Sequence, residues 1–258
     1  MTEESTGEIP AWRRHRAEAF ARHPIVRRPA LRSRFVRFSG AGPEHSVLDL
    51  GTGAGFGAVA FARRAAAVTA VDWRPDLLDM ARREAVRRKV WNVTFMENAP
   101  NDLPFPAGTF DIVASAAALH HFANPADVLS EMARVCNDGG VIALEDVIAS
   151  EQIVRARYHN RMERLRDRSH ERLLPLSEIV ALVGQAGLVT RRIEVQDSVR
   201  EYNEWVAVTR PPARRSEHIR RLLQGSVEQD LGGISVQQED YTFLFVQHIV
   251  WLLASKPS

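Results

Sequence analysis

The chain has 258 residues, with 34 Lys plus Arg against 32 Asp plus Glu, 45% hydrophobic residues and 26% charged. That balance excludes collagen-like, coiled-coil and disordered character and fits a soluble globular protein. No apolar run reaches the ~18 residues a membrane span needs.

Residues 1–40 form a basic leader. Nine arginines fall within residues 11–38, and Glu18 is the only acid among them. Such a stretch suits a solvated helical face, and also an anionic ligand or nucleic acid; a helical lid is expected here. Residues 1–20 lack the apolar core and cleavage site of a secretory signal. A single cysteine, Cys136, makes no intramolecular disulfide and no cysteine-rich metal site. A cytoplasmic protein is expected.

Past the leader, short apolar runs alternate with helical stretches. Buried strands are predicted at 46–50, 67–71, 93–95, 110–114 and 140–144. Between them lie amphipathic helices at 57–64, 75–88 and 125–135, the last two opening on Pro75 and Pro125, where a first helical turn tolerates proline. Alternation of this kind implies an α/β fold, a parallel sheet covered on both faces. Residues 41–150 make its core.

Residues 151–258 carry helical insertions and two last strands of the same domain. Residues 151–174 read as helix, Ser177 as the N-cap of the next helix and Gly187 as its stop. A sixth strand is predicted at 188–195, and one or two helices at 200–229, broken at Arg210-Pro211-Pro212. Residues 241–254 read as a seventh strand, although their apolar run also fits a buried helix by periodicity.

The chemistry concentrates after the first strand, in Asp49-Leu50-Gly51-Thr52-Gly53-Ala54-Gly55-Phe56-Gly57. Glycines at alternating positions between strand and helix let a ligand lie against bare backbone, outside the strand ends where open α/β sheets bind. Asp72 ends the next strand, 21 residues after Gly51, placed to accept both hydrogens of a ribose diol. The dinucleotide pattern G-x-G-x-x-G/A fails from Gly51 (third position Phe56) and passes from Gly53 (Ala58), so glycines alone leave that reading open. Asp49, on the face of the first turn glycine, opposes a pyrophosphate and suits an ammonium. Asn98 follows the third strand, where it can meet an adenine edge.

Four stretches then carry a resemblance: VLDLGTGAGFGAVAFA (47–62), VTAVDWRPDLLDMARR (68–83), LPFPAGTFDIVASAAALHHFANPADVLSEMARV (103–135) and DGGVIALED (138–146). In this order they resemble the class I S-adenosylmethionine-dependent methyltransferases, in particular the small-molecule subgroup similar to the ubiquinone/menaquinone-biosynthesis C-methyltransferases. The resemblance implies a doubly wound, Rossmann-like, seven-stranded and mostly parallel sheet with helices on both faces and helical lid insertions. It implies S-adenosyl-L-methionine as cofactor and S-adenosyl-L-homocysteine as product. Asp49 and the backbone of Gly51, Thr52, Gly53 and Gly55 would hold the methionine part, Asp72 the ribose and Trp73 the adenine face. Asn98 and Ala99 would meet the adenine edge, and Ser115 and Ala116 would border the methionyl group and the acceptor cavity. The family usually has Asp where this chain has Asn98, so that contact loses its charge assistance.

Methyl transfer from a sulfonium needs alignment above all, plus a base where the acceptor must lose a proton. His120 and His121 follow strand four, and His120 is the expected base. His120, Glu145 and Asp146 have no recognisable metal spacing, so no metal is expected. With Cys136 alone, arsenic methylation, which needs several thiols, is out. The expected partners are a small-molecule acceptor and, at most, a second copy of the chain in a homodimer. The alternatives are a relative that binds the cofactor for cyclase- or isomerase-type chemistry and, motivated by the basic leader, a nucleic-acid methyltransferase. Ser115-Ala-Ala-Ala118 replaces the Asn/Asp-Pro-Pro-aromatic signature of base-methylating relatives, so nucleic acid is not expected as substrate.

Overall fold

The computed structural model describes Glu18, Ala21, His23 and residues 27–257; the rest of the basic leader, and so most of the expected lid, lies outside the described residues. The strands are β1 (Ser46–Leu50), β2 (Ala67–Asp72), β3 (Val93–Glu97), β4 (Phe110–Ala116), β5 (Cys136–Ile148), β6 (Val189–Glu201), β7 (Gln237–Glu239) and β8 (Thr242–Ser255). They form one sheet in the order β3-β2-β1-β4-β5-β8-β6, with β7 paired to β8. β1 to β5 are mutually parallel; β8 runs antiparallel to both β5 and β6. The sheet therefore has eight strands, seven on the expected path plus the short β7.

Helices α1 (Pro29–Phe38), α2 (Phe56–Ala62), α3 (Pro75–Arg87), α4 (Pro125–Val135), α5 (Ile153–Arg166), α6 (Leu176–Gln185), α7 (Tyr202–Thr209) and α8 (Ala213–Ser226) connect them. Side chains alternate between two cores, as strand pleating requires. Leu48, Leu50 and Val113 face a cluster with Leu129 and Met132 of α4 and Ile179 of α6. Val47, Ile112 and Ala114 face the other, with Phe61 of α2 and Trp251. The arginine-rich α1 is anchored by Phe35 and Phe38, whose ring centroids lie 5.7 and 5.4 Å from Trp251. It is thus more than a solvated face. A third cluster, including Met162, Trp205, Leu223 and Phe243, joins α5, α7 and α8 to the start of β8.

Trp251 explains why residues 241–254 form a strand. Its ring is buried on one face while Leu252 is buried on the other; a strand between two cores buries consecutive side chains, and an apolar run satisfies that need. The break at Arg210-Pro211-Pro212 separates α7 from α8 as expected.

Two expectations need correction. Ser177 is not an N-cap: Pro175 occupies that position and Ser177 lies inside α6. There its backbone N–H, 3.0 Å from Glu151 Oε1, and its hydroxyl both donate to the Glu151 carboxylate, so a distant acid caps the helix. The helix expected over 151–174 spans only Ile153–Arg166. The following loop instead pairs with the turn after β4, where the N–H groups of Glu171 and Arg172 donate to the His120 carbonyl at 3.0 and 3.2 Å. No helix among the described residues is long and apolar enough to cross a membrane.

Candidate active site

Connections leave β1 toward β2 on one side and return to β4 on the other, so a crevice opens beyond the carboxyl ends of β1 and β4. The glycine turn fills that switch point. It is pinned to β2 by the N–H groups of Gly51 and Thr52, which donate to the Val71 carbonyl at 2.8 and 3.1 Å. Gly51 sits at φ +73°, and a Cβ there would come within 2.5 Å of the Ala118 Cβ. Gly55, at φ +79°, would meet Ala81 Cβ at 2.6 Å. Neither position admits a side chain.

Asp49 is buried, 2% exposed. It accepts from the Thr52 hydroxyl at 2.6 Å, and Gly57 closes against its carboxylate, where a Cβ would lie 2.9 Å from Oδ2. Burial pushes its pKa above the usual carboxylate range, against the Thr52 hydrogen bond and the charge of Arg32. Asp72 accepts from the N–H groups of Gly53 (2.8 Å) and Arg74 (2.9 Å). Burial pushes its pKa up to about 6 despite those two bonds. Each Asp72 oxygen spends one lone pair on backbone and keeps one for a ligand. Trp73 packs edge-on against Phe122 at 5.5 Å.

The cleft has two chambers. The outer one, about 460 Å³, is lined by Asp72, Trp73, Pro75, Leu77, Arg168 and Thr209 among others. The inner one, about 190 Å³, is lined by residues that include Asp49, Phe56, Ala116, His120, Leu173 and Trp205. Gly51, Gly53, Ala117, His121, Asp167 and Val208 border both and form a waist between them. Of the residues singled out in the sequence, Asp49, Gly51, Thr52, Gly53, Ala116 and His120 meet at the inner chamber, and Asp72 and Trp73 at the outer. Asn98 and Ala99 line neither. The Asn98 amide donates to the carbonyls of Ala99 (2.9 Å) and Asp102 (2.5 Å), shaping its own loop. Ser115 also lines neither chamber; its hydroxyl is buried without a hydrogen-bond partner among the described residues. A separate groove of about 500 Å³ beside α1, edged by Arg37, Arg63, Arg64 and Arg88, contains neither turn carboxylate.

His120 is tied to Asp146. Its ring Nδ1 lies 2.6 Å from Asp146 Oδ1, and its backbone N–H donates to Oδ2 at 3.1 Å. Nδ1 is thereby occupied, which leaves Nε2 for the chamber. Burial opposes protonation of His120, but the charge and hydrogen bond of Asp146, with the charge of Glu163, outweigh it and raise the pKa. Burial is likewise overcome at Asp146, which the same pairing holds below the usual carboxylate range. His121 and His170 flank the His120 ring at 4.1 and 5.5 Å. Burial takes them to about 4 and about 3.

Sequence reasoning weighed Asp146 only as a metal ligand and missed this pairing, together with Glu163, Arg166 and Arg200. Among the described residues no group of three or more His, Cys, Asp or Glu is placed to hold a metal ion. On the helices flanking the cleft, Trp205 of α7 reaches the inner chamber, whereas Arg157, Tyr158 and His159 of α5 and Tyr202 of α7 line neither chamber.

Comparison with known proteins agrees with this architecture. Residues 48–144 match the family model described as "Methyltransferase domain". The chain is 35% identical over 176 residues to the uncharacterized methyltransferase YcgJ of Bacillus subtilis, covering 68% of this chain and 70% of that one. The crystal structure of YcgJ superposes with a TM-score of 0.82 at 28% identity, covering 86% of this chain and 96% of that chain. The uncharacterized protein YafE of Escherichia coli is 30% identical over 182 residues, 70% of this chain and 87% of that protein. The demethylmenaquinone methyltransferase of Thermus thermophilus is 40% identical over 102 residues, 38% of this chain and less than half (46%) of that protein.

Proposed function

Since the chain belongs to the methyltransferase-domain family, we propose that it transfers a methyl group from S-adenosylmethionine to a small organic acceptor held in the inner chamber. The observation that carries this reading is the waisted cleft, with one buried carboxylate on each side of a bare-backbone turn. The donor set fits the cofactor. Asp49 would hold the ammonium, the Gly51–Gly53 backbone the methionine chain, Asp72 the ribose hydroxyls and Trp73 the adenine. When bound, the cofactor supplies a methyl group on a sulfonium, open to in-line attack.

The protein's own residues do the rest. The waist aligns the two ligands and excludes bulk water. His120, oriented by Asp146, takes a proton from the acceptor at Nε2. A small acceptor is supported by the confined chamber of about 190 Å³ and by the small-molecule substrate in the name of the Thermus relative.

Calorimetric titration tests the reading. S-adenosylhomocysteine should bind at micromolar concentration at neutral pH and weaken as pH falls below about 6, because ribose hydroxyls donate to ionised Asp72 and protonation removes that acceptor. In Asp72→Asn the limb near pH 6 should vanish and affinity fall by about 10-fold or more. Absence of binding at millimolar ligand would refute it. A homodimer is supported by the edge strand β6, whose Ile193, Val195 and Val199 are exposed; a monomer in sedimentation at 100-fold the assay concentration, about 100 micromolar, would refute that pairing.

A further inference from the structure

Four arginines and five acids line the inner chamber, but they are not paired one to one. Arg166 is committed to Glu163, 2.9 Å away, and stacks over Trp205 at 4.8 Å. His120 is committed to Asp146. Arg32 shares its charge with Asp49 and Glu145. That leaves Arg28 and Arg200, each held by a neutral group: Arg28 Nη2 donates to the Ser198 hydroxyl (2.6 Å) and Arg200 Nε to Gln247 Oε1 (2.6 Å).

Neither arginine has a carboxylate within ion-pair distance among the described residues. Yet Arg200 is only 7% exposed. A buried guanidinium without a carboxylate in direct contact is costly. Burial first, then the charges of Arg28 and Arg166, takes its pKa down to about 9. Glu163 and Glu145 offset this only in part and from beyond contact distance. Glu145 is driven toward its neutral form by burial, against the charges of Arg32 and Arg28 and a hydrogen bond from Trp251 at 2.7 Å, while Asp167 interacts with Arg166 and His121.

Gln247 fixes the guanidinium's direction, since its own amide donates to Glu163 Oε1 at 2.7 Å. With Nε engaged, both Nη groups of Arg200 remain for a ligand. Both arginines line the inner chamber and neither borders the waist. Leu173, Trp205, Val208 and Ile249 supply an apolar wall beside them. The chamber thus offers a cationic fork, an apolar body site and, at His120, a proton acceptor.

We propose that the acceptor carries an oxyanion head, a carboxylate or a phosphate, clamped by Arg28 and Arg200, with its organic body on the apolar wall and its nucleophile toward His120. This rests on the methyltransferase reading for the identity of the ligand as an acceptor, while the anion site itself stands on the arginines. When the cofactor ammonium takes Asp49, the chamber loses one of its acids as a counter-charge. The loaded site then favours an anion more strongly than the free one.

The test is titration with benzoate and with its neutral isostere benzamide, each with and without saturating S-adenosylhomocysteine. Benzoate should bind at least about 10-fold tighter than benzamide. Arg200→Gln and Arg28→Gln should each remove most of that preference, and Arg200→Lys should restore part of it by returning charge without the fork. The affinity for S-adenosylhomocysteine should stay within about threefold in these variants, which shows an intact fold. Inorganic phosphate competing more tightly than benzoate assigns a phosphate head; weaker competition assigns a carboxylate. Equal binding of benzoate and benzamide, no binding of either anion at about 50 mM, or a preference that survives Arg200→Gln overturns the proposal. If the wild-type protein ignores S-adenosylhomocysteine, the cofactor reading fails by itself, and the benzoate titration of the free protein still decides the arginine site.

Discussion

Replacing Asp49 with asparagine should lower the affinity for S-adenosylhomocysteine by about 30- to 5,000-fold and leave adenosine binding nearly unchanged. Asp49 is walled in by Thr52 and Gly57 and is 2% exposed, so an ammonium brought to it meets a carboxylate with little water to screen the pair. Truncating one partner of a buried charge pair costs about 2–5 kcal/mol, which corresponds to that loss. Adenosine has no amino-acid tail and depends on Asp72 instead. Asparagine keeps the shape and can still accept from Thr52, so the ligand-free variant should melt close to the wild type: the desolvation relieved by removing the buried charge offsets the lost attraction to Arg32. Because burial raises the Asp49 pKa, the ligand's ammonium must draw the group into its ionised form. Binding should therefore release protons as pH falls toward that pKa, measurable by calorimetry in buffers of different ionisation heat. Equal loss of adenosine and S-adenosylhomocysteine would show that Asp49 shapes the turn rather than holding the ammonium.

The parts of this site that were legible in the sequence are those encoded locally. The glycine turn, Asp49 and Asp72 sit at the ends of neighbouring strands, and short apolar runs between amphipathic helices located β1 to β5 without tertiary information. Asn98 shows where local reading is ambiguous: a position suited to an adenine edge is equally suited to closing its own loop, and the amide donates to Ala99 and Asp102. What stayed hidden depends on register. Ala116 at the end of β4 pairs with Glu145 of β5, so β5 carries Asp146 one residue beyond, under the His120 turn. Nothing in a 26-residue separation announces that contact. Arg28 and Arg200 meet only because β6 returns along β8 on the far side of the sheet. Likewise Ser177 reads as a cap until Glu151 is seen to supply the acceptor. Residues 241–254 read as a strand, yet their apolar run also fits a helix, because a segment buried on both faces loses the alternation that distinguishes the two.

For an acceptor that must lose a proton, His120→Ala should lower kcat by about 100- to 10,000-fold, with cofactor affinity preserved because the Asp49 and Asp72 sites do not use the imidazole. The pH profile gives the sharper result. His120 acts as a base only when neutral, and its pKa is raised above 6.5, so the wild-type rate should climb with pH through a limb above 6.5. Asp146→Asn removes both the charge and the ionic hydrogen bond that raise it, and burial then dominates. The limb should move to lower pH, while the plateau falls about 10- to 100-fold as the ring loses the partner that orients it. A merely structural Asp146 would lower the plateau without moving the limb. Stability provides an independent check, with the sign set by both partners. The raised His120 pKa contributes stability that is complete below 6.5 and lost as pH rises through the folded value. The lowered Asp146 pKa contributes stability present above 3.8 and lost as pH falls through its folded value. The gap in melting temperature between wild type and Asp146→Asn should therefore be widest between these limits. His121 and His170 cannot mimic the limb: at about 4 and about 3 both are already neutral throughout the range in which His120 titrates.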